Sequence, residues 1–184
     1  MTDFMKIALS VGIPAIVSIV GFIITITSLK KNFQNEVLKQ KTSVQLDKMS
    51  TMPYEILAFL QDMLDTTKVG NTEEVQKKHE EKMQWLFSSI FAYGSSKAMH
   101  VLASMQSENY QNAIDPEKAD KFRMMTFYIL LAAQIRFDIT GEIVSPEEWF
   151  RMKIKDFQAN REKIKVANNQ LVSELGLNKE YLMV

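Results

Sequence analysis

From Ile7 to Leu29 the chain runs 23 residues without a charge, bracketed by Lys6 and by Lys30-Lys31. As a helix this run is about 35 Å long, enough to cross a hydrocarbon core of about 30 Å with some tilt. A secretory signal peptide has a shorter apolar core, about 7–15 residues, followed by a small-residue cleavage site. The run here is longer and ends in Ser28-Leu29-Lys30-Lys31 with no A-x-A pattern beside it. The pattern therefore predicts an uncleaved transmembrane anchor over residues 1–31.

Beyond the anchor the apolar spacing is helical, and no stretch alternates in the manner of a strand. Phe33, Val37, Val44 and Met49 predict a juxtamembrane helix over 32–52. Pro53 then opens a short helix from Tyr54 to Leu64, closed by the turn Lys68-Val69-Gly70-Asn71. Thr72 caps a long helix from Glu73 to about Ala92. Tyr93-Gly94-Ser95-Ser96 is a sharp break whose serine launches a helix from Lys97 to about Ala113, with Ala98, Val101, Leu102 and Met105 facing inward. Asp115-Pro116-Glu117 reads as the next start, with proline at the first helical position. That helix should run to Phe137 through Met124, Phe127, Leu130, Leu131 and Ile135, and end at Thr140-Gly141. Ser145-Pro146-Glu147-Glu148 combines an S-x-x-E box with the same proline placement. It predicts one final helical region, through Trp149, Phe150, Ile154, Phe157, Ile164 and Leu171 to Gly176. The expected fold class is all-α: a single N-terminal transmembrane helix followed by a bundle of about six helices over 53–184, with no internal repeat.

Composition narrows the chemistry. The 184 residues hold 22 basic and 22 acidic side chains, two histidines and no cysteine. Zero cysteine removes disulfides, thiolate catalysis and cysteine-ligated metal, and a net charge of zero lacks the basic signature of a dedicated nucleic-acid binder. Local charge is less even. Residues 30–48 carry Lys30, Lys31, Lys39, Lys41 and Lys48 against Glu36 and Asp47, whereas Lys6 before the span is offset by Asp3. The positive-inside bias then places the bundle in the cytoplasm and a short N-terminal tip outside. These lysines suit anionic lipid head groups, at about 1 kcal/mol per basic residue near the surface. A second surplus, Arg151, Lys153, Lys155, Arg161, Lys163 and Lys165 against Asp156 and Glu162, is a candidate contact for RNA or a partner. Clusters of this kind are more often a solvated helix face.

The anchor itself is not uniformly apolar. Ser10, Pro14, Ser18, Gly21, Thr25 and Ser28 are spaced 4, 4, 3, 4 and 3, one stripe of a helix. Small and hydroxyl side chains on such a stripe let helices approach and hydrogen-bond within a bilayer; the same stripe around a hydrated lumen would tolerate water. With helices about 10 Å across, a ring of eight leaves a lumen radius of about 8 Å and a ring of five only a few ångströms. The stripe is thus a helix-packing face or a pore lining, and either use predicts a homo-oligomer.

Catalytic signatures are missing. The chain has no Walker loop, no G-x-G-x-x-G, no H-E-x-x-H and no G-x-S-x-G. His79, in Lys-Lys-His-Glu-Glu, is expected to be solvent-exposed; His100, beside Ala98, Val101 and Leu102, is expected at the edge of the core. Both precede the first arginine, Arg123, so the Arg-then-His spacing by which HEPN-type bundles cut RNA cannot occur. No enzyme activity, cofactor or metal is expected.

The anchor, the cysteine-free helical domain, the Phe91-Ala92-Tyr93-Gly94-Ser95 break and the Gln134-Ile135-Arg136-Phe137-Asp138-Ile139-Thr140-Gly141-Glu142 helix end together resemble a group of small bacterial membrane proteins. Within it, size and layout are similar to the membrane accessory proteins of type VI-B CRISPR systems. The resemblance implies a divergent, HEPN-like helical domain and an oligomeric pore in the inner membrane. It also implies a functional link to an RNA-guided RNase effector in antiphage defence. The alternative is a membrane-tethered scaffold that forms no pore and binds a cytoplasmic partner.

Overall fold

The computed structural model describes residues 25–37, 39–40, 42–69 and 72–184, and all regular structure among them is helical. Two compact units are present, Met1–Val44 and Gln45–Val184. In the first, residues 25–37, 39–40 and 42–44 are helical and exposed. The span expected over 7–29 lies outside the described residues except for its last five positions. Among the described residues no helix is long and apolar enough to cross a membrane.

The second unit is built on six α-helices: α1 (Met52–Val69), α2 (Glu73–Tyr93), α3 (Ser96–Ile114), α4 (Lys121–Thr140), α5 (Pro146–Lys153) and α6 (Phe157–Glu174). Single 3-10 turns at Pro116–Lys118 and Lys179–Tyr181 complete it. The organising element is α4. Its residues Thr126, Phe127, Tyr128, Ile129, Leu130, Leu131 and Ala132 are buried in unbroken succession, followed by Gln134 and Ile135. Seven consecutive buried positions cover every side of a helix, so α4 has no solvent face over two turns. It packs against α1, α3, α5 and α6. Those helices need only one apolar stripe each: Ile56, Phe59 and Leu60 on α1; Ala98, Val101, Leu102 and Met105 on α3; Ile164, Leu171 and Val172 on α6. The four inward residues expected on α3 are all buried.

Local chemistry sets most of the ends. Thr72 accepts from the Val75 amide and Ser95 from the Ala98 amide. Gly141 closes α4 in the left-handed conformation, φ 71°, where a β-carbon would be strained. Gly94 is required for a different reason: a Cβ there would stand 2.5 Å from the Ile90 carbonyl oxygen.

Three boundaries differ from the sequence expectation. The first helix starts at Met52 and continues to Val69 rather than ending at Leu64. Asp115-Pro116 opens only a 3-10 turn, and the long helix begins five residues later at Lys121. Asp115 makes no cap hydrogen bond and pairs instead with Lys118 at 2.5 Å. Asp120 is the working cap, its Oδ1 accepting from the Phe122 and Arg123 amides at 2.8 and 3.2 Å. Finally, the expected single C-terminal helix is two helices, broken at Ile154 (φ −99°, ψ 110°). No glycine or proline marks that break. It lets Phe157 stack on Phe150, ring centroids 6.4 Å apart and planes 12° from parallel, with both side chains buried.

Leu130, fully buried at the centre of α4, is the most sensitive core position. Leu130→Ala should lower stability by about 2–5 kcal/mol, read as a shifted urea midpoint in tryptophan fluorescence.

Candidate functional site

The two short motifs that carry the family resemblance meet in space. Ser95 Oγ, in the break between α2 and α3, donates to Asp138 Oδ2 on α4 at 2.5 Å. Gln134 Nε2, one turn earlier on α4 and buried, donates to Asp138 Oδ1 at 2.8 Å. Gln45 Nε2 donates to the Tyr93 carbonyl at 2.7 Å, tying the start of this unit to the same break. Ser95 Oγ also accepts from the Ala98 amide at 3.1 Å, so its proton and one of its two lone pairs are used. The hydroxyl thus joins the α2–α3 break to α4 while capping α3.

A second polar joint holds the last residues. Tyr181 and Met183 are buried, and Tyr181 OH donates to the Ala133 carbonyl at 3.2 Å. Asn168 Nδ2 donates to the Tyr181 carbonyl at 2.8 Å. Asn169 brackets Met183, donating to its carbonyl at 3.0 Å and accepting from its amide at 2.9 Å. The two asparagines sit on the inner side of α6, a polar pair inside an apolar stripe. Arg161 reaches the Val184 carbonyl and Glu147, the latter at 2.9 Å.

A third joint centres on Arg123. Its Nε donates to both Glu108 oxygens at 2.8 and 2.7 Å, and its Nη2 to Glu174 at 2.6 Å, linking α3, α4 and α6. Burial opposes the guanidinium charge, but the hydrogen bonds it donates to Glu174 and Glu108, with their negative charges, outweigh that and raise the pKa above that of an ordinary arginine. The first arginine of the chain is therefore committed to two carboxylates.

The histidines exchange the roles expected of them. His79 is half-buried, bonded to Asp62 of α1 at 3.0 Å and set edge-on to Phe59, ring centroids 5.5 Å apart. The correction is geometric: α2 lies along α1, so its Lys-Lys-His-Glu-Glu run faces a neighbour at that position. Lys82 repeats the contact one turn on, pairing with Glu55 at 2.5 Å. His100, expected at the core edge, is exposed; Ala98, Val101 and Leu102 face inward and His100 projects between them. Among the described residues no three metal-ligating side chains cluster.

The anchor stripe is visible only in part. Ser10, Pro14, Ser18 and Gly21 lie outside the described residues, while Thr25 and Ser28 are exposed on the helix of the first unit. Lys30, Lys31 and Lys39 are exposed on that helix, and Lys41 lies outside the description. Phe33, Val37 and Val44, the apolar positions that predicted the juxtamembrane helix, continue a row begun by Ile26 and Leu29, and all five are exposed. At 100° per residue they share an arc of about 80°, with Lys30 at one border and Glu36 at the other. The signal was present in the 3, 4, 4, 7 spacing, overshadowed by the small-residue stripe a third of a turn away.

The second basic cluster is divided. Arg151 pairs with Glu148 at 3.3 Å on α5 and Arg161 is held by Glu147. Lys153, Lys155 and Lys163 are exposed and Lys165 is half-buried.

The phenols offer a pH test of the C-terminal joint. Burial, aided by the negative charges of Asp138 and Glu180, pushes Tyr181 up to about 12 from an ordinary 10.0, and burial also raises Tyr128. The unfolded chain loses these protons first, so their contribution is complete below about pH 10 and declines as pH rises toward 12. Urea midpoints should fall across that window. Tyr181→Phe should flatten the fall while costing about 1 kcal/mol at neutral pH through the lost hydrogen bond. Arg123→Gln should cost about 2 kcal/mol, because Glu108 is left half-buried without its partner, and Glu108→Gln in the same chain should recover part of it. No protein-family model, curated protein or solved structure matches this chain.

Proposed function

We propose that this is a non-enzymatic, single-pass membrane protein that assembles side by side with copies of itself. In this reading the assembly perturbs the bacterial inner membrane in support of RNA-guided antiphage defence, the role implied by the resemblance to type VI-B accessory proteins. The observation that carries it is the exposed row Ile26, Leu29, Phe33, Val37 and Val44. Ile26 and Leu29 fall inside the expected span and are covered by lipid, whereas Phe33, Val37 and Val44 lie beyond it and leave an apolar strip in water unless a neighbour covers it. A second copy is the natural cover, since a ring presents the same helix at every position and Lys30 on one border complements Glu36 on the next chain's opposite border. The anchor span and its Ser10–Ser28 stripe would continue the association inside the bilayer. In this reading the positive-inside bias puts residues 45–184 on the cytoplasmic side, with lysines 30, 31 and 39 at the head groups. In this assembly Ser18 and Thr25 either face the lumen or pack between neighbours.

A tethered scaffold is the second reading. Exposed Trp85 and Phe91 on α2 favour it, since aromatic side chains are enriched at protein contacts.

Mass photometry of the full chain in lipid nanodiscs, with dye release from vesicles, separates the two. Self-association predicts a large particle that Phe33→Asp with Val37→Lys reduces to a monomer, together with loss of dye release. A strictly monomeric wild type would leave the scaffold. Ser18→Leu with Thr25→Leu should lower dye release without changing particle size if the stripe lines water, and should change particle size if it packs.

A further inference from the structure

A cleft of about 160 Å³ opens between the start of α1, the second half of α4 and α5. Its walls are Pro53, Leu57, Ile129, Val144, Trp149 and Met152, and its floor is the adjacent pair Ala132 and Ala133. Two alanines on a helix otherwise filled with Phe, Tyr, Ile and Leu are what leave the space open. The volume is that of a benzene-sized guest, and the cleft is open to solvent on one side. Few polar groups border it: Arg136, Ser145 and Glu148. Ser145 Oγ is already accepting from the Glu147 amide, and Glu148 is engaged by Arg151 at 3.3 Å. Among the described residues the Arg136 guanidinium pairs with Glu142, at 3.5 Å, with both side chains well exposed. An apolar slot of one-ring size beside a loosely held guanidinium matches one ligand chemistry. A carboxylate fits the planar donor fork of arginine in bidentate fashion, and it would displace Glu142 at little loss.

We propose that this cleft binds a small monocarboxylate with a compact apolar body, the ring or branched alkyl group over Ala132 and Ala133 and the carboxylate on Arg136. The inference does not depend on self-association, because every lining residue belongs to one copy of the 45–184 unit. It adds a metabolite-sized input to the bundle.

Trp149 in the wall supplies the readout. The chain has two tryptophans, Trp85 and Trp149, so Trp85→Phe isolates the signal. Phenylacetate is titrated into the full chain in lipid nanodiscs, with phenylacetamide as the uncharged isostere. The expected result is a saturable fluorescence change with phenylacetate and affinity about tenfold weaker with phenylacetamide or in Arg136→Gln, the loss of one charge-assisted contact. Ala133→Leu should abolish binding by filling the slot. Arg136 is exposed, so its variant tests the site without risk to the fold. No saturation with phenylacetate, equal affinity for the amide, or unchanged binding in Ala133→Leu would each overturn the proposal. Particle size in the same nanodiscs reports on self-association separately, so failure of either idea leaves the other readable.

Discussion

A helix without a solvent face must be enclosed, and that requirement on α4 governs the rest of the 45–184 unit. Burying a large aliphatic or aromatic side chain is worth about 1.5–3 kcal/mol, and α4 buries nine residues with only Thr126 and Gln134 polar among them. The two are satisfied locally, Thr126 by the Phe122 carbonyl at 2.7 Å and Gln134 by Asp138. Neighbouring helices can then be amphipathic, contributing one stripe each and turning their charges outward. The division explains a chain of average hydrophobicity that still assembles a dry core.

Polar groups in this unit act mainly as joints between helices. Arg123 ties α3 to α4 and α6, Ser95 ties the α2–α3 break to α4, and His79 and Lys82 tie α2 to α1. The Arg123–Glu108 pair is the best shielded, with side chains 20% and 16% exposed; pairs reaching exposed carboxylates such as Asp62 and Glu174 are closer to the about 0–1 kcal/mol of surface ion pairs. Because these side chains hold helices in place, little reactive chemistry is left over. Among the described residues, the exposed apolar row on residues 26–44 and the small cleft beside Arg136 lie outside these joints.

The C-terminal residues illustrate the same economy. Tyr181 and Met183 fill the core between α4 and α6, and the Asn168-Asn169 pair satisfies the backbone that brings them there. One atom, Asn168 Oδ1, is buried without a hydrogen-bond partner. An asparagine kept at that cost shows how strongly the closing segment depends on its side-chain amide.

Helical periodicity, the Thr72 and Ser95 caps, the glycine stop at Gly141 and the inward side of α3 were readable because each is settled within four residues of chain. The split at Ile154 was not, since it serves a stacking of Phe157 on Phe150 that no local pattern encodes. Asp115-Pro116 and Asp120 are both adequate starts for α4, and the choice fell to which carboxylate was free to cap. The histidine roles were reversed for a related reason: periodicity says which positions share a side, but not which side a neighbour occupies. The resemblance motifs at 91–95 and 134–142 could be picked out one by one, whereas their meeting through Ser95 and Asp138 depends on α2, α3 and α4 folding together. The cleft was invisible from sequence because alanines at 132 and 133 read as ordinary helix formers until three helices leave a space above them.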